Sequence, residues 1–361
     1  MPDRTIEHKE RLSASTITSW NVTEDEFPRK GALSDKISFI LKYAILAPSS
    51  HNTQPWLFRI LEDKTVELYA DRTRALPVVD PEDREMIISC GAALEHLRLT
   101  ANHFGLANIT DLLPPDKNSN PDLLAKVELK EGDTITQRLA EDDALLFEAI
   151  TIRRSNRSAF KNKKLPNDLL VLLKDIARLR GSWLDIFEED VKKNSLADLI
   201  SQGDKIQLSD KKFRRELAAW VHPNRSNSRD GMPGYSHGIS DIVSYIGPFL
   251  IRTFDIGKGQ AAKDMQLATG SPVLAVLGTD GDEPLAWIQT GQVLARILLR
   301  ARAENVWASF MDQPIEVPEL RLRLREVLGR SAGFPQLLMR LGYGKKVKPT
   351  PRRNIDEVVV K

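Results

Sequence analysis

The 361-residue chain predicts an α+β fold in which two related sheet-and-helix halves share a helical interface. Three observations carry this expectation. Two long helices align residue for residue, a weaker match pairs two helix-strand units, and each half holds a polar segment that the other lacks.

In chain order, Ile37, Ile40, Leu41, Ala44 and Ile45 follow the i, i+3, i+4, i+7, i+8 spacing of one buried helix face, with Ser34 as N-cap and Pro48 as stop. Trp56-Leu57-Phe58 and Val66-Glu67-Leu68-Tyr69 then flank a turn-like Glu62-Asp63-Lys64 and read as a strand pair. Between them, Ala47-Pro48-Ser49-Ser50-His51-Asn52-Thr53-Gln54-Pro55-Trp56 packs hydroxyls, amides and two prolines into a helix-to-strand junction. Rigid supports on both sides make such a loop a natural binding element, and a polar, planar ligand is the expected occupant.

A long helix expected to begin at Asp80-Pro81 carries Met86, Cys90, Ala93, Leu94, Leu97 and Phe104 and ends at Gly105, and another covers about 285–304. With Gly91 set over Gly291, Ile88 pairs with Ile288, Leu94 with Leu294, Leu97 with Ile297, Leu99 with Leu299 and Ala101 with Ala301. Gly105 then falls on Asn305, and these are the two residue types best suited to a left-handed helix C-cap. More weakly, Ile40-Leu41-Lys42 matches Leu172-Leu173-Lys174, and Trp56-Leu57 matches Trp183-Leu184. The expected units are 1–145 and 146–361, an intramolecular pseudo-dimer.

The halves lose complementary parts. At the second junction only Arg180-Gly181-Ser182 stands where the first has its polar loop, whereas Ile152-Arg153-Arg154-Ser155-Asn156-Arg157-Ser158-Ala159-Phe160 opens the second half and has no counterpart in the first. In a symmetric homodimer each interface site takes one element from each subunit, so a fused pair that keeps one copy of each element retains a single site.

Composition narrows the function classes. Lys and Arg total 52 against 50 Asp and Glu, a formal charge of +2, which lacks the basic footprint of a general nucleic-acid binder. Met1–His8 has no apolar signal core, and no apolar run approaches the roughly 20 residues that span a bilayer, so a cytoplasmic protein is expected. The single cysteine, Cys90, excludes an internal disulfide and a thiolate metal cluster, and reads as a small apolar residue on a buried helix face. The six histidines show no metal-ligand spacing, and His96 and His103 lie seven apart, two turns from each other. No metal is expected, His96 and His103 read as structural, and His51 forms no triad that the sequence can support.

Arg153, Arg154, Ser155 and Arg157 offer guanidinium forks and a hydroxyl suited to a phosphate, with Arg352, Arg353 and Lys348 available if the tail folds back. A solvated basic turn is the alternative. Ala308-Ser309-Phe310-Met311-Asp312-Gln313-Pro314-Ile315-Glu316 reads as a strand broken at Pro314, whose unpaired backbone N–H groups face either a heteroaromatic edge or water.

Together, Pro48 to Trp56, Arg153-Arg154-Ser155-Asn156-Arg157, Pro314-Ile315-Glu316 and Pro351-Arg352-Arg353 resemble the nitroreductase family of flavoproteins, most closely its Acg-like subgroup of two fused halves. The likeness runs over about residues 15–360 and includes Asp80-Pro81-Glu82-Asp83-Arg84-Glu85, Asp230-Gly231-Met232-Pro233 and Arg340-Leu341-Gly342-Tyr343. It implies a duplicated nitroreductase-like fold with FMN at the junction. Arg153, Ser155 and Arg157 match the turn that binds its phosphate and ribityl chain, and Arg352 the late phosphate-binding arginine. Pro48, Ser49, Ser50 and Asn52 match the loop laid along the flavin, and Pro314, Ile315 and Glu316 the strand end whose amides face N5 and O4. Gln54, Arg154 and Arg353 complete the expected cofactor contacts. No side-chain catalytic residue is implied, since the chemistry sits at flavin N5.

Two departures stand out. Val317 replaces the glycine usual after this segment, which implies tighter access near N5. About sixty residues between Ile200 and Lys263 read as an insertion at about 204–262 serving as a lid, with Lys263 or Gln266 in range of the pyrimidine edge. The expected function is two-electron transfer from NADH or NADPH through FMN to a small-molecule acceptor, nitroaromatic or quinone-like. The rival is a lid-covered flavin that is sequestered or stored with little or no NAD(P)H turnover, and a scaffold without flavin is the third possibility.

Overall fold

The computed structural model describes residues 17–115, 120–132 and 137–360. The expected N-terminal features at Met1–His8 lie outside the described residues.

The first half opens with α1 (Leu33–Ala44), whose apolar stripe is fully buried. Its start is two residues earlier than Ser34 as N-cap predicts: Ala32 is the N-cap, and the Asp35 carboxylate accepts the Ala32 N–H at 3.0 Å. The hairpin β1 (Trp56–Leu61) and β2 (Thr65–Ala70) follows, its turn made by left-handed Glu62 and Asp63. Then come α2 (Arg84–His103), β3 (Leu106–Leu112), β4 (Leu123–Glu131) and α3 (Gln137–Ile150). The helix α2 starts later than Asp80-Pro81 predicts, because Asp80 caps from a distance by accepting the Met86 N–H.

The second half holds α4 (Asn167–Arg178), β5 (Ser182–Phe187), α5 (Asp190–Ser209), α6 (Lys211–Ala219), the two-residue strands β6 (Val221–His222) and β7 (Met232–Pro233), α7 (Asp241–Thr253) and α8 (Gly257–Thr269). It continues with β8 (Val273–Thr279), α9 (Pro284–Ala303), β9 (Trp307–Phe310), the single turn α10 (Gln313–Glu316), α11 (Pro318–Leu328), β10 (Phe334–Gly342) and β11 (Val359–Val360). The segment 204–262 is therefore largely helical, not a structureless loop. Its α7 turns Val243, Leu250 and Ile251 toward a chamber and leaves Ile242 85% exposed.

Among the described residues two larger sheets are ordered β11-β1-β2-β4-β3 and β5-β8-β10-β9, and β6 and β7 form a small parallel pair. The tail crosses back as expected: β11 joins β1 in parallel, with Phe58 opposite Val359. Along β8 the side chains alternate between two cores, Val273, Ala275 and Leu277 entering the large core shared by both halves and Leu274 and Val276 a second core under α5 and α11. Both faces are covered, which is why this strand is apolar from Val273 to Leu277.

The helices α2 and α9 cross at their glycines. A Cβ on Gly91 would stand 2.2 Å from the Ile288 carbonyl oxygen, and one on Gly291 2.0 Å from the Ile88 oxygen, so only hydrogen fits at either position. Beyond the crossing both helices end alike, Gly105 at φ +72° and Asn305 at φ +62°. Glu95, fully buried on α2, is paired with Arg296 of α9 as well as with Arg98 and Arg180, whose charges hold its carboxylate below the usual range against the cost of burial.

Candidate functional site

The polar loop after α1 is strained and tightly stitched. His51, Asn52 and Gln54 all have positive φ, at 48°, 56° and 53°, a conformation non-glycine residues adopt only when surroundings impose it. The Ser49 hydroxyl accepts the Gln54 N–H at 2.9 Å, and the Ser50 hydroxyl donates to Glu85 on α2 at 2.5 Å. The Asn52 amide donates to the carbonyls of Gly231 (2.9 Å) and Pro351 (3.1 Å), while its oxygen accepts from Arg352 at 2.7 Å. One asparagine thus ties the loop to the insertion and to the tail.

Two adjoining cavities open beneath this loop, of about 220 and 460 Å³, a size suited to small-molecule sites. Pro48, Ser49, Ser155, Arg157 and Met232 border both. The smaller is lined by Asn52, Arg153, Arg154, Arg352, Lys348 and Trp20, so the early loop, the arginine turn and the tail do converge. The larger takes Ser50 and Glu316, together with Lys263 but not Gln266.

Four of the predicted contacts lie elsewhere. Gln54 donates to the Arg229 carbonyl and accepts the Arg353 N–H, and the Arg353 guanidinium is buried against Asp71 and the carbonyls of Gln54 and Glu357. Both hold the tail onto the first half. Pro314 and Ile315 border neither cavity: the segment is a helical turn, not a strand end, and Ile315 packs in the second core. The amides of Ile315 and Glu316 donate to the Asp312 carbonyl at 2.7 and 3.0 Å, which leaves neither for a ring edge. Val317 is also buried in that core.

Electrostatics distinguish the smaller cavity. Burial drives the Arg153 guanidinium down to about 10 and, with repulsion from Arg153 and Arg302, Arg154 down to about 9. Burial likewise lowers Arg157 and, joined by repulsion from Arg153 and Arg154, holds Arg352 well below its ordinary value. Their hydrogen bonds go to carbonyls, an amide oxygen, a hydroxyl and the Met232 sulfur, and among the described residues no carboxylate pairs with any of the four. Nε of Arg153 and of Arg352 has no partner among them. Desolvated cations gathered without counter-charge cost several kcal/mol, and an anion entering this cavity would relieve that cost. Trp20 lies against the Arg154 guanidinium at 3.4 Å and near that of Arg352 at 4.7 Å.

The larger chamber is mixed. Leu208, Phe213, Leu250, Ile251 and Phe310 give apolar walls, and His51, His237, Asp204, Asp264, Gln313 and Arg340 add polar groups. Burial, then the charge of Arg157, lowers His51 to about 4, and His237 is also held well below its usual value. Sequence reasoning missed Trp20, Asp204, His237, Asp264 and Arg340. His96 and His103 are structural as expected, the first buried against the Tyr43 carbonyl and the second paired with Glu24.

No family model matches the chain. It is similar to the Serratia sp. protein named "Probable NAD(P)H nitroreductase PigM", 41% identical over 87% of this chain and 90% of that one. The acg protein of Mycobacterium tuberculosis, whose name also assigns it provisionally to the NAD(P)H nitroreductases, is 28% identical over 90% of this chain and 95% of its own. Among solved structures, the FMN and NADPH-dependent nitroreductase NfnB of Sphigopyxis sp. overlaps 60% of this chain and 98% of its own at 17% identity and TM-score 0.40. The NfnB of Mycobacterium smegmatis, solved with NADPH, overlaps 61% and 97% at 15% identity and TM-score 0.39.

Proposed function

Because the chain belongs to the NAD(P)H nitroreductase family, we propose that it binds one FMN across the two cavities and passes two electrons from NADH or NADPH to a nitroaromatic or quinone-like small molecule. The observation that carries this reading is a cluster of buried and half-buried guanidiniums, none salt-bridged to a carboxylate among the described residues, beside a roomy chamber, which fits a phosphate monoester bearing a large ring. Arg153, Arg154, Arg157 and Arg352 would hold the phosphate, with Ser155 and Asn52 at its border. Pro48, Ser49, Ser50 and Glu316 would border the ring. When bound, the flavin supplies the redox chemistry; the chain orients it and keeps water from its surface.

In this reading units 1–145 and 146–361 are duplicated halves, and the fused chain serves as its own dimer partner, a monomer in the cytoplasm. The reciprocal glycine contact and the matched helix ends support that view. Among the described residues no helix is long and apolar enough to cross a membrane. Insertion 204–262 supplies Met232, His237 and the α7 wall, consistent with a lid. That apolar wall also favours a second reading, a covered flavin held in store. A flavin-loaded protein bleached rapidly by NADPH or NADH supports the enzyme. One reduced by dithionite alone supports storage, and a colourless chain that ignores added FMN contradicts both.

A further inference from the structure

Three helices meet on one wall of the larger chamber and bring two carboxyls to a single amide. Gln313 of α10 donates through Nε2 to Oδ1 of Asp204 on α5 at 3.0 Å and to Oδ2 of Asp264 on α8 at 3.2 Å. Gln260, one turn before Asp264, donates to the same Oδ2 at 2.9 Å. This approach depends on Gly203, where a Cβ would stand 2.6 Å from the Gln313 Cβ and 3.0 Å from its carbonyl carbon. Asp204 is only 3% exposed, borders the chamber, and its Oδ2 has no hydrogen-bond partner among the described residues. A buried carboxyl oxygen without a protein partner at the wall of a ligand chamber is satisfied by a proton, a water or a ligand group.

The surroundings favour the proton. Burial, and behind it the Asp264 charge, pushes Asp204 up to about 7, and burial raises Asp264 against the pull of Gln260, Lys263, Arg340 and Gln313. The charges of Arg157 and Asp264 also act on each other without a direct ion pair, and Glu316, half-buried and raised, borders the same chamber. The neighbouring cations on other helices are engaged elsewhere, Arg214 of α6 on the carbonyls of Leu208 and Ser209 and Arg323 of α11 on Gln202. Closely placed carboxyls share protons, and burial keeps the pair partly protonated at neutral pH.

We infer that the Asp204–Asp264 pair donates the proton that the electron acceptor takes up, an inference that rests on reading the chamber as a reduction site. For a quinone, the hydride equivalent from NAD(P)H brings the electron pair and one hydrogen. The carboxyl O–H bond breaks, a new O–H bond forms on the quinone oxygen, and hydroquinone and carboxylate result. Water entering the chamber restores the proton. The donor is the protonated form, so this step slows as pH rises above about 7.

The test takes FMN-loaded protein reduced with dithionite and mixes it anaerobically with menadione, or with ferricyanide, which accepts electrons and no proton. Asp204→Asn should slow reoxidation by menadione about 100-fold, leave ferricyanide within about twofold, and abolish the fall in menadione rate above neutral pH. Asp264→Asn should do the same. Carbon-13 NMR of labelled aspartates should show a carboxyl titrating near 7 that is missing in Asp204→Asn, a readout independent of turnover. Equal slowing of both acceptors, or an unchanged menadione rate, overturns the inference. If NADPH fails to reduce the wild type while the acceptor difference persists, NAD(P)H turnover is what fails and the donor stands.

Discussion

Between α1 and β1 the chain runs through residues 45–55 in a loop with three left-handed non-glycine residues, whereas between α4 and β5 it turns through 179–181 with one glycine at φ +70°. Both junctions join a helix to a strand, β1 between β11 and β2 in one sheet and β5 at the edge of the other. The first is bonded through Asn52 and Gln54 to residues 229, 231, 351 and 353, whereas the second sends one long-range bond, from Arg180 to Glu95. A connection alone requires no more than Gly181 provides, so the strain and long-range bonding of the first loop point to a ligand beneath it.

The sharpest way to break the comparison is at the helices that join the halves. Gly91→Ala and Gly291→Ala should each cost about 3 kcal/mol or more in urea unfolding, because the new Cβ meets a backbone carbonyl that cannot move aside. At Gly181, where a Cβ meets nothing within 4 Å, alanine should cost about 1 kcal/mol for its left-handed backbone alone. Equal costs would mean that the crossing relaxes and the tight interface is not what holds the halves.

Asn52→Ala comes next. It removes one acceptor of Arg352 and the side-chain donor to the buried Gly231 carbonyl, and should destabilise by about 1–2 kcal/mol in the same assay, with faster proteolysis of the tail; loss under 0.5 kcal/mol would show the stitching to be incidental. Arg157→Ala removes a guanidinium whose recorded hydrogen bond is to the Met232 sulfur, so folding should suffer little while FMN affinity falls about 100-fold by fluorescence titration. Unchanged affinity would exclude Arg157 from the phosphate site.

A further effect is on acid stability. His51 and His96 are buried neutral, lowered to about 4 and about 3, chiefly by burial and then by Arg157 and Arg153 respectively. As pH falls below the unfolded value near 6.5, the unfolded chain binds protons that the folded one refuses, so stability is lost down to those lowered values. Each histidine should account for about 2 kcal/mol between pH 6.5 and pH 5 in FMN-free protein. His96→Gln should flatten that slope by one proton, and an unchanged slope would contradict the assignment.

What could be read from the sequence follows from how locally each feature is encoded. The polar loop and the arginine turn concentrate unusual residue types within ten positions, and the structure brings both to the smaller cavity, with Arg352 and Lys348 from the tail. Pro314 misled because proline both ends strands and begins helices; here it stands in the first turn of α10. Asp204, Asp264 and Gln313 were invisible because each is an ordinary polar residue on its own helix, and only the packing allowed by Gly203 joins them. Trp20 was equally hidden, its importance arising from two guanidiniums contributed by segments far along the chain.

The most direct test of the composite site is the number of flavins per chain. Protein saturated with FMN, freed of excess by gel filtration and then denatured, should release one FMN per polypeptide, and Arg153→Ala/Arg157→Ala should release almost none while remaining folded by circular dichroism. Two flavins per chain, or full retention in the double variant, would contradict a single site built from one element of each half.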